Sequence, residues 1–140
     1  MREIKFKVFM KNGDKYTEMS TDDLFMNLKG ELFEVFDYEE GPERLGKEYE
    51  LFQYTGLLDS EGVDIFEGDL FTLENNPYKH SIPSSKKDNF VVRFKDGAFF
   101  LTGLIVSQER RLREVIVHQY TWQRIGHIKT HPELLEKSND

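Results

Sequence analysis

The sequence has no cysteine among its 140 residues. This absence excludes disulfide bonds, thiol nucleophiles and cysteine-based zinc sites, and it is compatible with a reducing compartment. No segment approaches the run of about 18 apolar residues that a membrane-spanning helix needs. The N-terminal residues also lack the basic region and apolar run of a secretion signal. We therefore expect a soluble protein that stays in the cytoplasm, with no membrane contact.

Hydrophobic residues are also scarce, at 38%, whereas aromatic residues reach 14% and include 12 phenylalanines. The sequence therefore predicts a core built from a few large rings, each burying roughly 150–250 Å². At this length the chain is predicted to be one domain spanning residues 1–140.

The net charge of −7 is unevenly distributed. Residues 17–50 hold eleven acidic and three basic side chains, a net charge of −8, whereas the rest of the chain has 15 acidic and 16 basic side chains. We interpret this acidic segment as a solvated surface that keeps the protein soluble. The alternative is an interaction surface that attracts a basic partner.

Residues 53–69 carry the most distinctive pattern, which predicts three short strands separated by bends at Gly56, Gly62 and Gly68. Residues 59–62 run from Asp to Gly, as in a type I turn. We expect the residues that define this pattern to be structural: Tyr54, Gly56, Gly62, Glu67, Gly68 and Asp69, with Gly97 in a later tight turn.

Alternating apolar residues predict further strands, among them residues 4–10, 16–19, 90–94, 98–102, 115–118 and 123–128. Asn12-Gly13 predicts a type I′ hairpin turn. One face of these strands should supply the core: Phe6, Val8, Leu51, Ile65, Phe71, Val92, Phe94, Phe99 and Ile125. Residues 75–89 form a polar stretch and are predicted to be a loop.

Little helix is indicated. Residues 24–33 have helical spacing after a capping Thr21, although the alternation in residues 31–36 fits a strand equally well. Pro132 is suited to the first turn of a short C-terminal helix. Seven or eight short strands with one or two short helices predict a mainly β fold, a small and partly closed SH3-like barrel.

Four blocks of the chain resemble the YopX family, namely residues 1–6, 53–69, 95–99 and 125–128 with 131–135. This family consists of small proteins carried by bacteriophages and prophages, and residues 20–50 fall where it is variable. The resemblance implies the family's fold and a bacterial host cytoplasm. It implies no catalytic residues, because the family has no established biochemical activity.

Two pairs of side chains could carry chemistry. Glu67 and Asp69 flank Gly68 and could act as an acid and base pair, but we interpret Asp69 as a backbone acceptor at the bend and Glu67 as solvated. His127 and His131 have the i, i+4 spacing of helical zinc ligands, but the residue before Pro132 disfavours a helix. We therefore predict no catalytic residues, no metal site and no cofactor.

A nucleic-acid interface is a second hypothesis, since small β-barrels bind single strands through basic and stacking side chains. The candidate contacts are Lys86, Lys87, Arg93, Arg110, Arg111, Arg113 and Trp122. The acidic balance of the chain, with a pI near 5.2, argues against this interface.

The sequence thus favours a phage- or prophage-encoded accessory module that acts by binding another protein. We also expect it to form a homo-oligomer through strand edges or an aromatic patch, with the acidic segment outside the contact. The alternatives are a single-stranded nucleic-acid-binding barrel and an enzyme whose site the sequence does not reveal.

Overall fold

The computed structural model describes residues 3–22, 24–34, 39, 41–46, 48–73, 89–104, 109–116 and 122–135. The predicted loop 75–89 lies outside these residues, apart from Asn89. The described residues form the following elements: β1 (Phe6–Asn12), β2 (Lys15–Met19), β3 (Leu24–Met26), β4 (Leu32–Glu34), β5 (Glu43–Arg44), β6 (Tyr49–Leu58), β7 (Asp64–Phe66), β8 (Asp69–Leu73), β9 (Asn89–Lys95), β10 (Ala98–Gly103), β11 (Glu109–Arg111), α1 (Leu112–Ile116), β12 (Trp122–His127) and a 3-10 turn (Pro132–Leu135). The prediction of a mainly β fold is confirmed.

The strands form three antiparallel sheets. The first sheet has the order β2-β1-β6-β7, and the second has the order β11-β10-β9-β8-β12. The third, which we call the small sheet, has the order β3-β4-β5 and comes from the acidic segment. Neither described helix is long and apolar enough to cross a membrane.

The hairpin between β1 and β2 closes through a different turn from the predicted one. Asn12 pairs with Lys15, so the two central residues are Gly13 and Asp14. Only Gly13 has a positive φ, of 66°. A positive φ at the first central position alone is the pattern of a type II′ turn, so the predicted type I′ turn is wrong.

The predicted helix at residues 24–33 is also wrong. The alternative strand at residues 31–36 is present as β4, and residues 35 and 36 lie outside the described part. Asn27 ends β3 because its Oδ1 accepts the N–H groups of Lys29 and Glu31 at 3.0 and 2.9 Å. These bonds, together with that from the Gly30 N–H to the Asn27 carbonyl, replace helical hydrogen bonds. The local side-chain bonds of Asn27 therefore override the helical spacing of the apolar residues.

Conversely, a helix occupies the beginning of the predicted strand at residues 115–118. The helix α1 covers Leu112–Ile116, and residues 117 and 118 lie outside the described part. Leucine, arginine and glutamate at its start are good helix formers. Val115 and Ile116, which follow, are β-branched and favour a strand, but the helix formers before them outweigh that preference. The predicted helix at Pro132 is present as the 3-10 turn.

The main core cluster lies on one face of the second sheet and contains Ile65, Phe71, Phe90, Val92, Leu101 and Leu112. Four of the nine predicted core residues are buried: Val8, Ile65, Phe71 and Val92. Four others are half-buried: Phe6, Leu51, Phe99 and Ile125. The alternation of the strands therefore identified the inner face in most places.

The prediction for Phe94 is wrong, since its side chain is 53% exposed. Residues 93–97 are all exposed, so the end of the β9–β10 hairpin projects beyond the core. The sequence pattern also missed Phe9 and Val91, which are buried next to Val8 and Val92. Strands covered on both faces bury consecutive residues, and alternation alone cannot show this.

The second sheet is curled. Leu112 follows one edge strand, β11, and Trp122 belongs to the other edge strand, β12, yet both pack against the same core cluster. The two edges therefore approach each other across the concave face, as in a half-barrel. This geometry agrees with the predicted partly closed barrel.

Gly68 marks the junction of the two large sheets. Its N–H donates to the Val92 carbonyl at 2.8 Å, and its carbonyl accepts the Ile128 N–H at 3.0 Å. A Cβ atom at this position would lie 2.6 Å from Nε2 of His127. The His127 ring cannot move aside, because it stacks on Phe9 at 4.5 Å and meets the edge of Phe52 at 4.6 Å.

We predict that Gly68→Ala lowers the free energy of unfolding much more than Gly56→Ala does. The two glycines have nearly equal φ angles of 87° and 84°, but no atom lies within 4 Å of a Cβ at Gly56. Both substitutions therefore add backbone strain of about 1 kcal/mol, and only Gly68→Ala adds overpacking of about 1–3 kcal/mol. Urea unfolding measures both values, and equal losses would contradict the proposed contact with His127.

Candidate functional site

A buried ion cluster ties the distinctive stretch to β12. Arg124 donates through Nη1 to Asp69 Oδ2, and through Nη2 to Asp59 Oδ2 at 3.2 Å and to the Asp64 carbonyl at 2.8 Å. The side chains of Asp59 and Asp69 are only 7% and 2% exposed. The guanidinium also lies 5.1 Å from the centre of the Phe71 ring. This planar, forked cation therefore holds two separate carboxylates in place.

Both carboxylates also accept backbone hydrogen bonds. Asp59 Oδ1 accepts the N–H groups of Glu61 and Val63, each at 2.9 Å, and Asp69 Oδ2 accepts the Phe66 N–H at 2.8 Å. Burial alone would raise the pKa of Asp59, but these N–H groups and Arg124 outweigh burial and hold the pKa below its ordinary value. Asp69 has the role that we expected for it at the bend.

The Glu67 side chain differs from our interpretation, because it is half-buried rather than solvated. Burial raises its pKa, while the Gln53 backbone N–H and the charge of Arg93 partly oppose that shift. Asp69 interacts with Arg124 instead. The two candidate carboxylates therefore have different partners, and the arrangement is that of a structural bend.

The remaining residues of the distinctive pattern have structural positions. Tyr54 is buried and its ring centre lies 5.6 Å from that of Phe66. Gly56 lies where the register between β6 and β7 shifts, so the strand continues through it to Leu58 and does not end there. Gly62 donates to the Asp59 carbonyl at 3.0 Å and closes the predicted turn. Gly97 lies in the tight turn between β9 and β10, as predicted.

The two candidate histidines are hydrogen-bonded to each other through the His127 backbone, whose N–H donates to His131 Nδ1 at 3.4 Å and whose carbonyl accepts the His131 N–H at 2.8 Å, but their rings have different further partners. His127 accepts the Lys129 N–H at Nδ1, at 3.1 Å, so its proton is on Nε2, which donates to the Glu67 carbonyl at 3.0 Å. His131 Nδ1 lies 2.9 Å from the Thr130 hydroxyl. In the described part of the chain, no three or more histidine, aspartate and glutamate side chains form a group that could hold a metal ion.

The structure brings together only some of the predicted nucleic-acid contacts. Arg93 and Arg111 both pair with Phe100, on adjacent strands, so the three side chains share one face of the second sheet. Arg110 is adjacent to Arg111 in the same strand, so its side chain lies on the other face of the sheet. Trp122 is half-buried at the opposite edge strand, with its ring 5.0 Å from that of Phe90. Arg113 is exposed on α1, and Lys86 and Lys87 lie outside the described residues.

A different surface feature stands out, which we call the apolar groove. It has a volume of about 370 Å³ and lies between the first sheet and the small sheet. The first sheet contributes Phe6, Val8, Leu51 and Phe66 to its lining, and the small sheet contributes Leu24, Phe25, Met26 and Leu32. Phe25 and Met26 remain 53% and 42% exposed. Neighbouring apolar side chains that stay exposed in a folded chain commonly mark a binding surface.

The small sheet also carries two acidic side chains beside the lining of the apolar groove, whereas the charged residue in the lining itself is Lys5. Leu24 pairs with Glu34, and Glu34 pairs with Glu43 on the next strand, so all three side chains share one face. Met26 lies two residues from Leu24 and is on that same face. Two carboxylates directly opposite each other repel, and a cation bound beside them would relieve that repulsion. The two carboxylates beside the groove therefore favour a segment that is apolar and positively charged, and the cation in the lining, Lys5, is already paired with Asp64 at 2.8 Å.

Sequence reasoning missed two parts of this arrangement. It predicted a helix from residue 24, with Leu24 on the apolar face of that helix, whereas Leu24 and Met26 share one face of a strand. It also gave Arg124 no role. The available signal was a single arginine in a predicted strand, together with two aspartates beside tight turns. The missing information was which strands pair, because neither contact is local in sequence.

The family described as YopX protein matches residues 5–136, so the chain belongs to the YopX family. Among solved structures it is similar to protein yopX from Bacillus subtilis, with 16% identity, a TM-score of 0.59, and coverage of 99% of this chain and 100% of that one. Protein EF1440 from Enterococcus faecalis is similar as well, with 20% identity, a TM-score of 0.58, and coverage of 97% and 100%. No curated protein matches the chain.

Because His127 is buried, its pKa is lowered, and we predict that it makes the fold sensitive to acid. Unfolded histidine binds a proton below a pH of about 6.5, and folded His127 does so only at lower pH. The unfolded state therefore binds more protons in this range, and the free energy of unfolding falls as the pH drops below about 6.5.

His127→Gln tests this, since the glutamine amide can still donate near the Glu67 carbonyl but does not titrate. We expect the variant to be less stable at pH 7 but to lose less of its stability between pH 7 and pH 5, as measured by urea unfolding. The raised pKa of Glu67 acts in both proteins and cancels in the difference. Parallel stability curves for the two proteins would refute a titrating role for His127.

Proposed function

We propose that this member of the YopX family is a protein-binding module, and that its apolar groove holds an apolar, basic segment of another protein. The observation that supports this most directly is the shared face of the small sheet, on which Leu24 and Met26 are followed by Glu34 and Glu43. An extended segment that presents apolar side chains followed by basic side chains on one face, at every second position, matches such a surface, because residues two apart in a strand point to the same side.

The charge of the chain supports a basic partner. Residues 17–50 have a net charge of −8, and they include every strand of the small sheet. A concentrated negative potential raises the rate at which a positive segment approaches, and the effect weakens as salt is added. The apolar part of the groove would supply the contacts that persist at high salt.

The family resemblance extends this proposal to a biological setting. A YopX protein would be a phage- or prophage-encoded accessory protein, and its partner would then be a protein of the bacterial cytoplasm. The carboxylates Glu67 and Asp69, which an enzyme would need, already have structural partners. That arrangement favours binding over catalysis as the working hypothesis.

If the apolar groove binds such a segment, a substitution in its lining should weaken binding and the same kind of substitution beside it should not. The probe is a labelled eight-residue peptide, Leu-Ser-Leu-Ser-Lys-Ser-Lys-Ser, whose leucines and lysines lie on one face when the peptide is extended. The same peptide with glutamate in place of lysine is its comparison, and fluorescence anisotropy measures the dissociation constant. We expect Met26→Ser to weaken leucine-lysine binding about tenfold, which corresponds to about 1.4 kcal/mol. Leu28→Ser is the control, because Leu28 is fully exposed beside the small sheet and does not line the groove.

A second pair of variants tests how much the negative charge of the small sheet contributes to binding. Glu43→Lys should weaken leucine-lysine binding about threefold at low salt and less at high salt, whereas Glu133→Lys, the same change at an exposed site on the 3-10 turn, should not. Equal binding of the two peptides, or equal effects of Met26→Ser and Leu28→Ser, would refute the proposal. Binding to a single-stranded oligonucleotide at low salt that Arg93→Ser abolishes would favour the nucleic-acid alternative instead.

We also predict self-association through an aromatic patch outside the acidic segment. Phe94 is 53% exposed and its ring lies 5.1 Å from that of Phe99 at the projecting hairpin. Light scattering at micromolar concentration should give at least twice the chain mass of 16.6 kDa, and Phe94→Ser should reduce it toward that mass. Leu28→Ser should leave the mass unchanged. A monomeric mass for the unsubstituted protein would exclude this assembly.

A further inference from the structure

The apolar groove follows the free edge of the small sheet. Leu24, Phe25 and Met26 all line it, although successive side chains of a strand point to opposite faces. Leu32, which is opposite Met26 on β4, also lines the groove, whereas Phe33, which is opposite Phe25, does not. The groove therefore crosses one face of both strands and reaches the other face only at β3, around the edge that β4 does not cover.

The hydrogen bonds of the small sheet show which backbone groups point to this edge. The Asn27 N–H donates to the Glu31 carbonyl at 3.0 Å, so Asn27 faces the β4 side. The Leu32 carbonyl accepts the Leu45 N–H at 2.8 Å, so Leu32 faces β5. Bonded and non-bonded pairs alternate along an antiparallel ladder. Met26, next to Asn27 and opposite Leu32, therefore turns its N–H and carbonyl away from β4, toward the groove.

Leu24 is two residues before Met26 and has the same orientation. Its N–H already donates to the Thr21 carbonyl at 3.2 Å, so only its carbonyl is available. These backbone groups belong to a strand at the surface, where Phe25 and Met26 are 53% and 42% exposed. The edge of β3 thus presents one donor and two acceptors beside apolar side chains, which is the arrangement to which a further strand can pair.

The charges of the small sheet set the direction of such a strand. Met26 is opposite Leu32, so that end of the shared face is apolar, whereas Leu24 is opposite Glu34, with Glu43 beyond it. Two strand spacings amount to about 10 Å, which a lysine and a glutamate side chain can span together. In an antiparallel strand the residue opposite Met26 precedes the residue opposite Leu24. An apolar residue followed two positions later by a basic one therefore fits.

We propose that the partner segment binds as a fourth strand of the small sheet, antiparallel to β3, with its apolar residue opposite Met26 and its basic residue opposite Leu24. This inference rests on the function proposed above and specifies how the segment is held. The N–H groups of these two ligand residues donate to the Met26 and Leu24 carbonyls, and a ligand carbonyl accepts the Met26 N–H. The main chain supplies affinity, and the side chains in the groove supply selectivity.

Two N-methylated versions of Leu-Ser-Leu-Ser-Lys-Ser-Lys-Ser test these main-chain bonds. One is methylated at the second leucine and the first lysine, whose N–H groups face β3 in the proposed pairing. The other is methylated at the two serines that flank the first lysine, whose N–H groups face away. By fluorescence anisotropy we expect the first version to bind about tenfold more weakly than the unmodified peptide, and the second to bind within about twofold of it.

Equal effects of the two methylation patterns, or a larger loss from the serine pattern, would overturn the antiparallel strand while leaving the proposed function in place. If the unmodified peptide did not bind at all, the proposed function and this inference would both be wrong. The two failures are therefore distinguishable.

The direction of the strand is tested with a peptide of the same composition in the opposite order, Lys-Ser-Lys-Ser-Leu-Ser-Leu-Ser. In the antiparallel pairing this peptide places leucine beside the carboxylates and lysine beside the apolar end. We expect it to bind about fivefold more weakly than the original peptide at low salt. Equal affinities for the two orders would contradict the proposed direction.

Met26→Pro tests the donor on the protein. Proline has no N–H, and it is tolerated in an edge strand where that group points outward. Met26→Ser removes the same side chain but keeps the N–H, so it is the matched control. We expect Met26→Pro to bind the original peptide about threefold more weakly than Met26→Ser, with unchanged circular dichroism. Equal affinities of the two variants would show that the Met26 N–H is not used.

A second copy of the chain is the competing occupant of this edge. Light scattering in the presence of the original peptide separates the two cases. We expect saturating peptide to leave the protein mass unchanged apart from the bound peptide. If the peptide instead lowered the mass to the 16.6 kDa of one chain, β3 would be a contact between copies and the proposal would be wrong.

Discussion

Both large sheets depend on the close approach of Gly68 to the ring of His127. The absence of a side chain at Gly68 lets the backbone of the bend approach the imidazole, whose ring lies between Phe9 and Phe52 of the first sheet. Gly68 meanwhile bonds to Val92, in the second sheet. The two sheets are thus joined through one glycine and one histidine, and burial of that ring disfavours its charged form.

The ion cluster of Arg124, Asp59 and Asp69 supports the same junction from the concave side. Burying these charges has a desolvation cost that largely offsets their mutual attraction, so the cluster contributes more to geometry than to net stability. Its geometric effect is specific. It fixes the turn at residues 59–62 over β12, and this position of the turn forms one side of a cavity beside Trp122. The distinctive sequence pattern is therefore architectural, yet it shapes a pocket.

The strand β7 lies between the apolar groove and a cavity of about 250 Å³ that Trp122 borders. Ile65 and Phe66 are consecutive and both buried, and since successive side chains point to opposite faces, Ile65 lines the cavity and Phe66 lines the apolar groove. The groove depends on the small sheet of the acidic segment, whereas the cavity depends on the turn at residues 59–62 and on the second sheet.

The sequence by itself determined the β class, the strands around the bends at Gly62 and Gly68, the buried role of Val8, Ile65, Phe71 and Val92, and the family. These follow from local alternation, turn chemistry and a recognisable pattern, all of which are readable along the chain. Only the tertiary structure decided that Asp69 and Arg124, 55 positions apart, form one cluster, that Leu24 and Glu43 share a face, and that Phe94 is exposed. Each of these outcomes depends on which strands become neighbours and which faces are covered, and hydrogen bonds between distant strands carry no signature in the local sequence.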